Sequence, residues 1–73
     1  MAKHYQKGDK VEWNWAGDKA QGTVEEVFTR RVQRTLKGTK IVRNGSEEAP
    51  AYLIKQADGD QVLKLHSEMN KAS

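Results

Sequence analysis

The Asp58-Gly59 dipeptide separates two short apolar runs, and it constrains the fold of this chain more than any other feature. A type I′ turn needs positive φ at both central positions, so Asp-Gly between two strand-like runs predicts a β-hairpin. The first run covers 51–56 and the second covers 61–65. Their alternating apolar residues are Tyr52 and Ile54 in the first run and Leu63 and Leu65 in the second. The C-terminal third is therefore predicted to be two antiparallel strands.

The N-terminal part of the chain has a similar alternating pattern. Val11, Trp13 and Trp15 alternate with polar residues, which is typical of a half-buried strand. The turn residues of 16–18 then end the strand. Because a domain this small needs large apolar side chains inside, we expect Trp13 in the core. Trp15 lies at the strand end, and we expect it to be partly exposed.

The segment from Thr23 to Gly38 fits two structures. Thr23 and Glu26 have the spacing of a capping box, apolar residues recur at helical spacing, and Gly38 could end a helix. This pattern predicts a basic amphipathic helix over 24–37. However, five of those fourteen residues are β-branched, which favours strands. They are Val24, Val27, Thr29, Val32 and Thr35. The residues alone leave helix and strand open.

The chain has 73 residues and no cysteine, so neither a disulfide nor a thiolate metal site can stabilise it. This length predicts a single domain, 1–73, with a core at about 5–69 and frayed residues at 1–4 and 70–73. The absence of cysteine fits a reducing compartment. No apolar run approaches the length of a signal or membrane segment. We therefore expect a cytoplasmic protein without a membrane partner.

The sequence contains no pattern that predicts catalysis. His4 and His66 are its two histidines, and they lie far apart with no other ligand at metal-binding spacing. A catalytic centre needs a nucleophile, a base and an orienting group in one pocket, and no such combination stands out. We predict no catalytic residue, no metal and no cofactor, and we expect that the protein is not an enzyme.

The middle of the chain is strongly basic, with six basic residues and no acid between Val27 and Ser46. They are Arg30, Arg31, Arg34, Lys37, Lys40 and Arg43. Such a run is a candidate contact for a nucleic-acid backbone. It is also typical of a solvated strand pair whose charges keep other chains from pairing with its edge. By parity along the chain, Arg34 and Lys40 are expected on one face and Lys37 and Arg43 on the other, so the basic patch is expected to be split.

Five segments of the chain, in their order and spacing, carry a resemblance to a known family. They are 7–15 (KGDKVEWNW), 22–24 (GTV), 37–39 (KGT), 43–54 (RNGSEEAPAYLI) and 58–66 (DGDQVLKLH). Together they resemble the hypervirulence-associated protein family, whose small members are described by a Tudor-like domain. The resemblance extends over about residues 5–69.

The resemblance implies an all-β fold, a small five-stranded antiparallel barrel of SH3/Tudor type with a short C-terminal turn. It makes 20–30 a long bent strand and 33–43 its antiparallel partner, and it places a bulge at Glu25-Glu26. It supplies neither an activity nor binding residues. We therefore expect a small binding module for a protein or peptide partner, or a structural or stress-related role. Weak non-specific nucleic-acid binding through 30–43 is the alternative. We expect a monomer or a homodimer made by strand exchange about hinges such as 44–47.

Tudor domains hold methylated lysine or arginine in cages of aromatic side chains through cation–π contacts. The aromatic residues here are Tyr5, Trp13, Trp15, Phe28 and Tyr52, and most of them are needed in the core of so small a domain. Trp15 and Tyr52 are the two candidates for aromatic contact with a ligand.

Overall fold

The computed structural model of the protein describes residues 4–72, and nearly all of them lie in or between antiparallel strands. The strands are β1 (Lys10–Trp15), β2 (Asp18–Phe28), β3 (Arg31–Leu36), β4 (Thr39–Asn44), β5 (Ala51–Gln56), β6 (Gln61–Leu65) and β7 (Asn70–Lys71). A single turn of 3₁₀-helix, His66–Glu68, precedes β7. The all-β prediction, including the short C-terminal turn, is confirmed.

Five of the strands form one sheet in the order β6-β5-β2-β1-β7. The predicted hairpin about Asp58-Gly59 joins β5 and β6, where Ile54 lies opposite Val62 and Leu53 opposite Leu63. β1 pairs with β2 through the tight turn at 16–17, where both residues have positive φ. The main sheet has five strands, but the predicted strand 33–43 is not among them, and β7 is its fifth strand. Its strand pairs are all antiparallel.

The predicted bulge lies in β2, whose pairing with β5 shifts register between Val24 and Glu26. Because side chains alternate between faces, one extra residue turns the rest of a strand over. Val24 therefore packs on one face of the sheet with Trp13, whereas Phe28, four residues later, packs on the opposite face with Leu53. The bulge allows one strand to contribute to both sides of the sheet.

The connection between β6 and β7 shows that the main sheet is strongly curled. These strands are its opposite edges, four strand spacings apart, which would separate them by about 19 Å in a flat sheet. Only residues 66–69 connect the two strands. Three of these four residues form the 3₁₀ turn, which is only about 6 Å long. The two edges must therefore approach each other.

The segment 31–44 departs from the prediction. It is neither a helix nor the partner of 20–30, because both edges of β2 are already paired, with β1 and with β5. Instead β3 and β4 pair with each other as a separate two-stranded hairpin, with Leu36 opposite Thr39. Gly38 does not end a helix. Lys37 and Gly38 have φ of 53° and 76°, the positive values that a two-residue hairpin turn requires.

Two groups of buried side chains, one on each face of the sheet, hold the fold together. The inner cluster is Val11, Trp13, Val24, Tyr52, Ile54 and Met69, and the outer cluster is Phe28, Val32, Ala51, Leu53 and Leu63. Successive residues of β5 alternate between the two clusters, so this strand is buried on both faces. The curled sheet encloses the inner cluster, and the β3–β4 hairpin covers the outer one through Val32, Leu36 and Ile41.

Strand pairing continues near the C-terminus of the described chain. β7 pairs with β1, Val11 lying opposite Lys71, and the Ala72 amide donates to the Lys10 carbonyl at 3.0 Å. These contacts lie within the segment 70–73 that is predicted to be frayed. The His4 ring lies 5.9 Å from the ring of His66. Residues 1–3 and 73, the rest of the predicted frayed ends, lie outside the described residues.

Candidate functional site

Three ion pairs tie the basic hairpin to the sheet. Arg34 lies 3.5 Å from Glu26 in β2, Lys37 at the hairpin tip pairs with Asp60 before β6, and Arg43 lies 3.1 Å from Glu68 in the 3₁₀ turn. Half of the six predicted nucleic-acid contacts therefore have carboxylate partners within the molecule. Because all three pairs are at least partly exposed to solvent, each contributes little to the free energy of unfolding.

The register of the hairpin corrects the predicted split of the basic patch. Arg34 lies opposite Ile41, whereas Lys40 lies opposite Thr35, so Arg34 and Lys40 are on different faces. Arg34 and Arg43 share the inward face with the apolar residues that cover the outer cluster. Arg31 and Lys40 share the outward face. The patch is split as predicted, but the parity argument paired the wrong residues because it ignored the register of the hairpin turn.

Glu68 closes the gap between β4 and the edge strand β6. Its Oε1 accepts a hydrogen bond from the Leu65 backbone amide at 2.8 Å and another from Arg43 Nε at 3.1 Å. Arg43 also donates from Nη1 to the Val42 carbonyl at 2.9 Å. The two side chains thus join strands that have no β-ladder between them in the described part of the chain.

Lys37 occupies an unfavourable backbone conformation at the hairpin tip. A left-handed φ costs a residue such as lysine about 1–2 kcal/mol, and hairpin turns of this type prefer Asn, Asp or Gly. The Lys37 side chain donates a hydrogen bond to Asp60. That hydrogen bond, with the nearby carboxylate charge, raises the pKa of the Lys37 ammonium.

A groove of about 440 Å³ runs between the hairpin and the open end of β1, and we call it the Trp15 groove. Trp13 and Trp15 form its wall on the β1 side, and Lys37, Ile41 and Arg43 form its wall on the hairpin side. The β5–β6 hairpin contributes the remaining lining residues, which are Gln56, Asp58, Asp60, Gln61, Val62, Leu63 and Lys64. Charged, amide and apolar groups therefore meet along one groove.

The two tryptophans have very different exposures. Trp13 is 2% exposed and belongs to the inner cluster, as predicted. Trp15 is 66% exposed, the largest exposed apolar side chain among residues 4–72. It therefore offers an indole surface at the mouth of the groove.

Tyr52, the other candidate aromatic contact, is 0% exposed. Its hydroxyl accepts a hydrogen bond from the Tyr5 amide at 3.1 Å and lies 3.2 Å from Nδ1 of His66. Burial raises the pKa of this hydroxyl. The side chain packs in the inner cluster and against Tyr5 and His66, so Trp15 and Tyr52 do not form one ligand surface.

Sequence reasoning did not identify the acidic residues of the site. Asp58 is predicted only as a turn residue, and Asp60 and Glu68 are not singled out. The only sequence feature that pointed to these acids is the charge asymmetry of the chain. All ten acidic residues lie outside the basic segment, so the basic hairpin packs against the part of the chain that contains them. Within residues 4–72 no group of three His, Cys, Asp or Glu side chains could hold a metal ion. The same residues include no helix long and apolar enough to cross a membrane.

A family model, that of the hypervirulence associated proteins TUDOR domain, matches residues 8–69. The match covers most of the chain, so the protein belongs to this family. Searches of curated proteins and of solved structures found no significant match. Tudor domains are in general small, non-enzymatic binding modules that commonly bind protein or peptide partners.

Proposed function

We propose that this member of the hypervirulence-associated Tudor family is a non-catalytic, cytoplasmic module that binds a segment of a partner protein in the Trp15 groove. The observation that carries the proposal is the 66% exposure of Trp15 beside a groove. Tryptophan is the residue type most enriched among the side chains that dominate binding energy at protein interfaces.

The size and chemistry of the groove favour a short segment. Its volume of about 440 Å³ lies in the range of sites that hold one small molecule or a few side chains. The indole of Trp15 offers an apolar surface, and the Gln56 side chain offers an amide donor and an amide acceptor that an extended peptide backbone can bind. The Gln61 side-chain amide already donates to Glu25 Oε1 at 2.7 Å. A segment of a few residues would therefore fill the groove.

The proposal can be tested by selecting binders from a random peptide library displayed on phage, using the wild-type domain as bait. We expect a consensus sequence among the enriched peptides. Trp15→Ala should weaken the binding of a consensus peptide about 30-fold, the equivalent of a 2 kcal/mol contribution at the centre of an interface. Calorimetric titration measures this loss.

Asn14→Ala is the matched control, because Asn14 is exposed next to Trp15 but has the opposite side-chain direction in β1. This variant should bind the consensus peptide as tightly as the wild type. A consensus peptide that binds Trp15→Ala unchanged, or no enrichment over an unrelated domain, contradicts the proposal.

A further inference from the structure

The six cations of the hairpin segment fall into two sets. Arg34, Lys37 and Arg43 each pair with a carboxylate outside the hairpin. Arg30, Arg31 and Lys40 are exposed, and within residues 4–72 none of them lies within salt-bridge distance of an acid. The cations of the first set form intramolecular ion pairs, whereas the cations of the second set can bind an anionic group of another molecule.

The outward face of the hairpin has a uniform chemistry. The register places on it Arg31, Gln33, Thr35, Lys40, Val42 and Asn44. This face carries no acid and no aromatic side chain, and its polar groups all include a hydrogen-bond donor. Arg31 and Lys40 lie about four residues apart along the ribbon, or about 13 Å. Arg30 lies at the same end as Arg31, with its guanidinium over the Phe28 ring at 5.6 Å.

We propose that this outward face binds the phosphate backbone of double-stranded nucleic acid without sequence preference. Cations and neutral donors without an opposing acid match the phosphate and sugar oxygens, which take half or more of the hydrogen bonds in such complexes. A two-stranded β-ribbon also fits the major groove of a duplex. The proposal is independent of the Trp15 groove.

The same face fits other partners less well. Single-stranded nucleic acid is normally held by stacking its bases on aromatic side chains, and the outward face has none. Protein interfaces are centred on buried aromatic or apolar anchors, whereas Val42, the one apolar residue here, is already half-buried. Contact limited to the phosphates of a duplex therefore remains the best match.

Arg31 and Lys40 set the strength and the salt dependence of this binding, because the Arg30 guanidinium lies over the Phe28 ring and not on the outward face. Each phosphate neutralised on a duplex contributes about −0.9 to the slope of log affinity against log salt, so two contribute about −1.8. Affinity should fall about 7-fold between 50 and 150 mM salt. At the higher salt the dissociation constant should be near 10⁻⁴ M, the weak end of non-specific binding.

The test is fluorescence anisotropy of a labelled mixed-sequence duplex at several salt concentrations, with two triple variants of equal charge. Arg30→Gln, Arg31→Gln and Lys40→Gln together should remove measurable binding at 50 mM salt. Lys7→Gln, Lys10→Gln and Lys55→Gln together remove the same net charge from exposed lysines of the main sheet and the segment before it. This second variant should keep the slope of the wild type.

Equal loss of binding in both triple variants overturns the proposal, because it would show attraction by net charge alone. Tighter binding of the corresponding single strand, or equally tight binding of a polyglutamate peptide, also overturns it in favour of a different partner. No binding of the wild type at 20 mM salt overturns it directly. Amide spectra that match the wild type establish that each variant is folded.

Discussion

Trp13→Ala is the substitution that tests the inner cluster most severely. Trp13 is 2% exposed and packs with Val11, Val24 and Ile54. A buried tryptophan removes about 150–250 Å² from water, and at about 25 cal/mol per Å² this contributes about 4–6 kcal/mol before the remaining alanine is subtracted. The expected cost of about 3–5 kcal/mol agrees with measured Phe and Trp truncations in other cores.

A loss of that size approaches the total stability of a domain this small, which should lie at the low end of about 5–15 kcal/mol. Trp13→Ala should therefore be largely unfolded in water at 25 °C. Urea unfolding followed by far-ultraviolet circular dichroism avoids the loss of the fluorophore. Trp13→Phe, which keeps most of the apolar volume, should remain folded and give a measurable midpoint.

Trp15→Ala is the control, because its side chain is 66% exposed and belongs to neither buried cluster. It should cost less than about 1 kcal/mol. If Trp15→Ala destabilises the domain as much as Trp13→Ala does, the assignment of Trp13 to the core face and Trp15 to the groove is wrong.

Three further predictions concern stability and association. Burial raises the pKa of the Tyr52 hydroxyl, so as pH rises the unfolded chain loses this proton before the folded chain does. The free energy of unfolding should therefore fall as pH rises above about 10. The fall should be smaller in Tyr52→Phe, which urea midpoints between pH 8 and 11 would show. A Cβ at Gly45 would lie 2.5 Å from the Phe28 carbonyl oxygen and 2.8 Å from the Ala51 amide nitrogen, so Gly45→Ala should cost about 1–3 kcal/mol, and an unchanged melting temperature would contradict this. The expected states are a monomer or a homodimer made by strand exchange about the 44–47 hinge, and sedimentation showing only monomer at about 1 mM would exclude the homodimer.

Local patterns predicted the parts of the fold that depend on neighbours in sequence. The alternation of Val11, Trp13 and Trp15 identified β1 and its inward face, and Asp58-Gly59 identified the β5–β6 hairpin. The family resemblance located the bulge at Glu25-Glu26. The two local patterns each lie within about ten residues of the structure they specify.

The β3–β4 hairpin could not be predicted from local sequence patterns. Its turn is Lys37-Gly38, and lysine is not a residue that a positive-φ turn normally selects, so the glycine resembled a helix end. Its partner was also misassigned, because both edges of β2 are occupied only once β5 has paired from a distant part of the chain. Long-range pairing leaves no local pattern in the sequence.

The residues of the candidate site could likewise be predicted only where a local pattern identifies them. Trp15 was predicted to be partly exposed because it lies at the end of a strand. It is exposed, and it lines the groove. Tyr52 was predicted as a candidate ligand contact, but it is buried. The alternation of apolar residues in β5 does not show that both faces of this strand are buried. The acids that pair with the hairpin, Asp60 and Glu68, meet their cations only after the hairpin has folded onto the sheet.

Amide and indole chemical-shift mapping with a selected consensus peptide tests most directly whether the Trp15 groove is a binding site. We expect the largest shifts at the Trp15 indole, at 56–64 and at the hairpin tip near Lys37, with little change at Gln33 or Thr35 on the outward face. Shifts confined to the outward face, or absent at the Trp15 indole while the peptide binds, would contradict the claim.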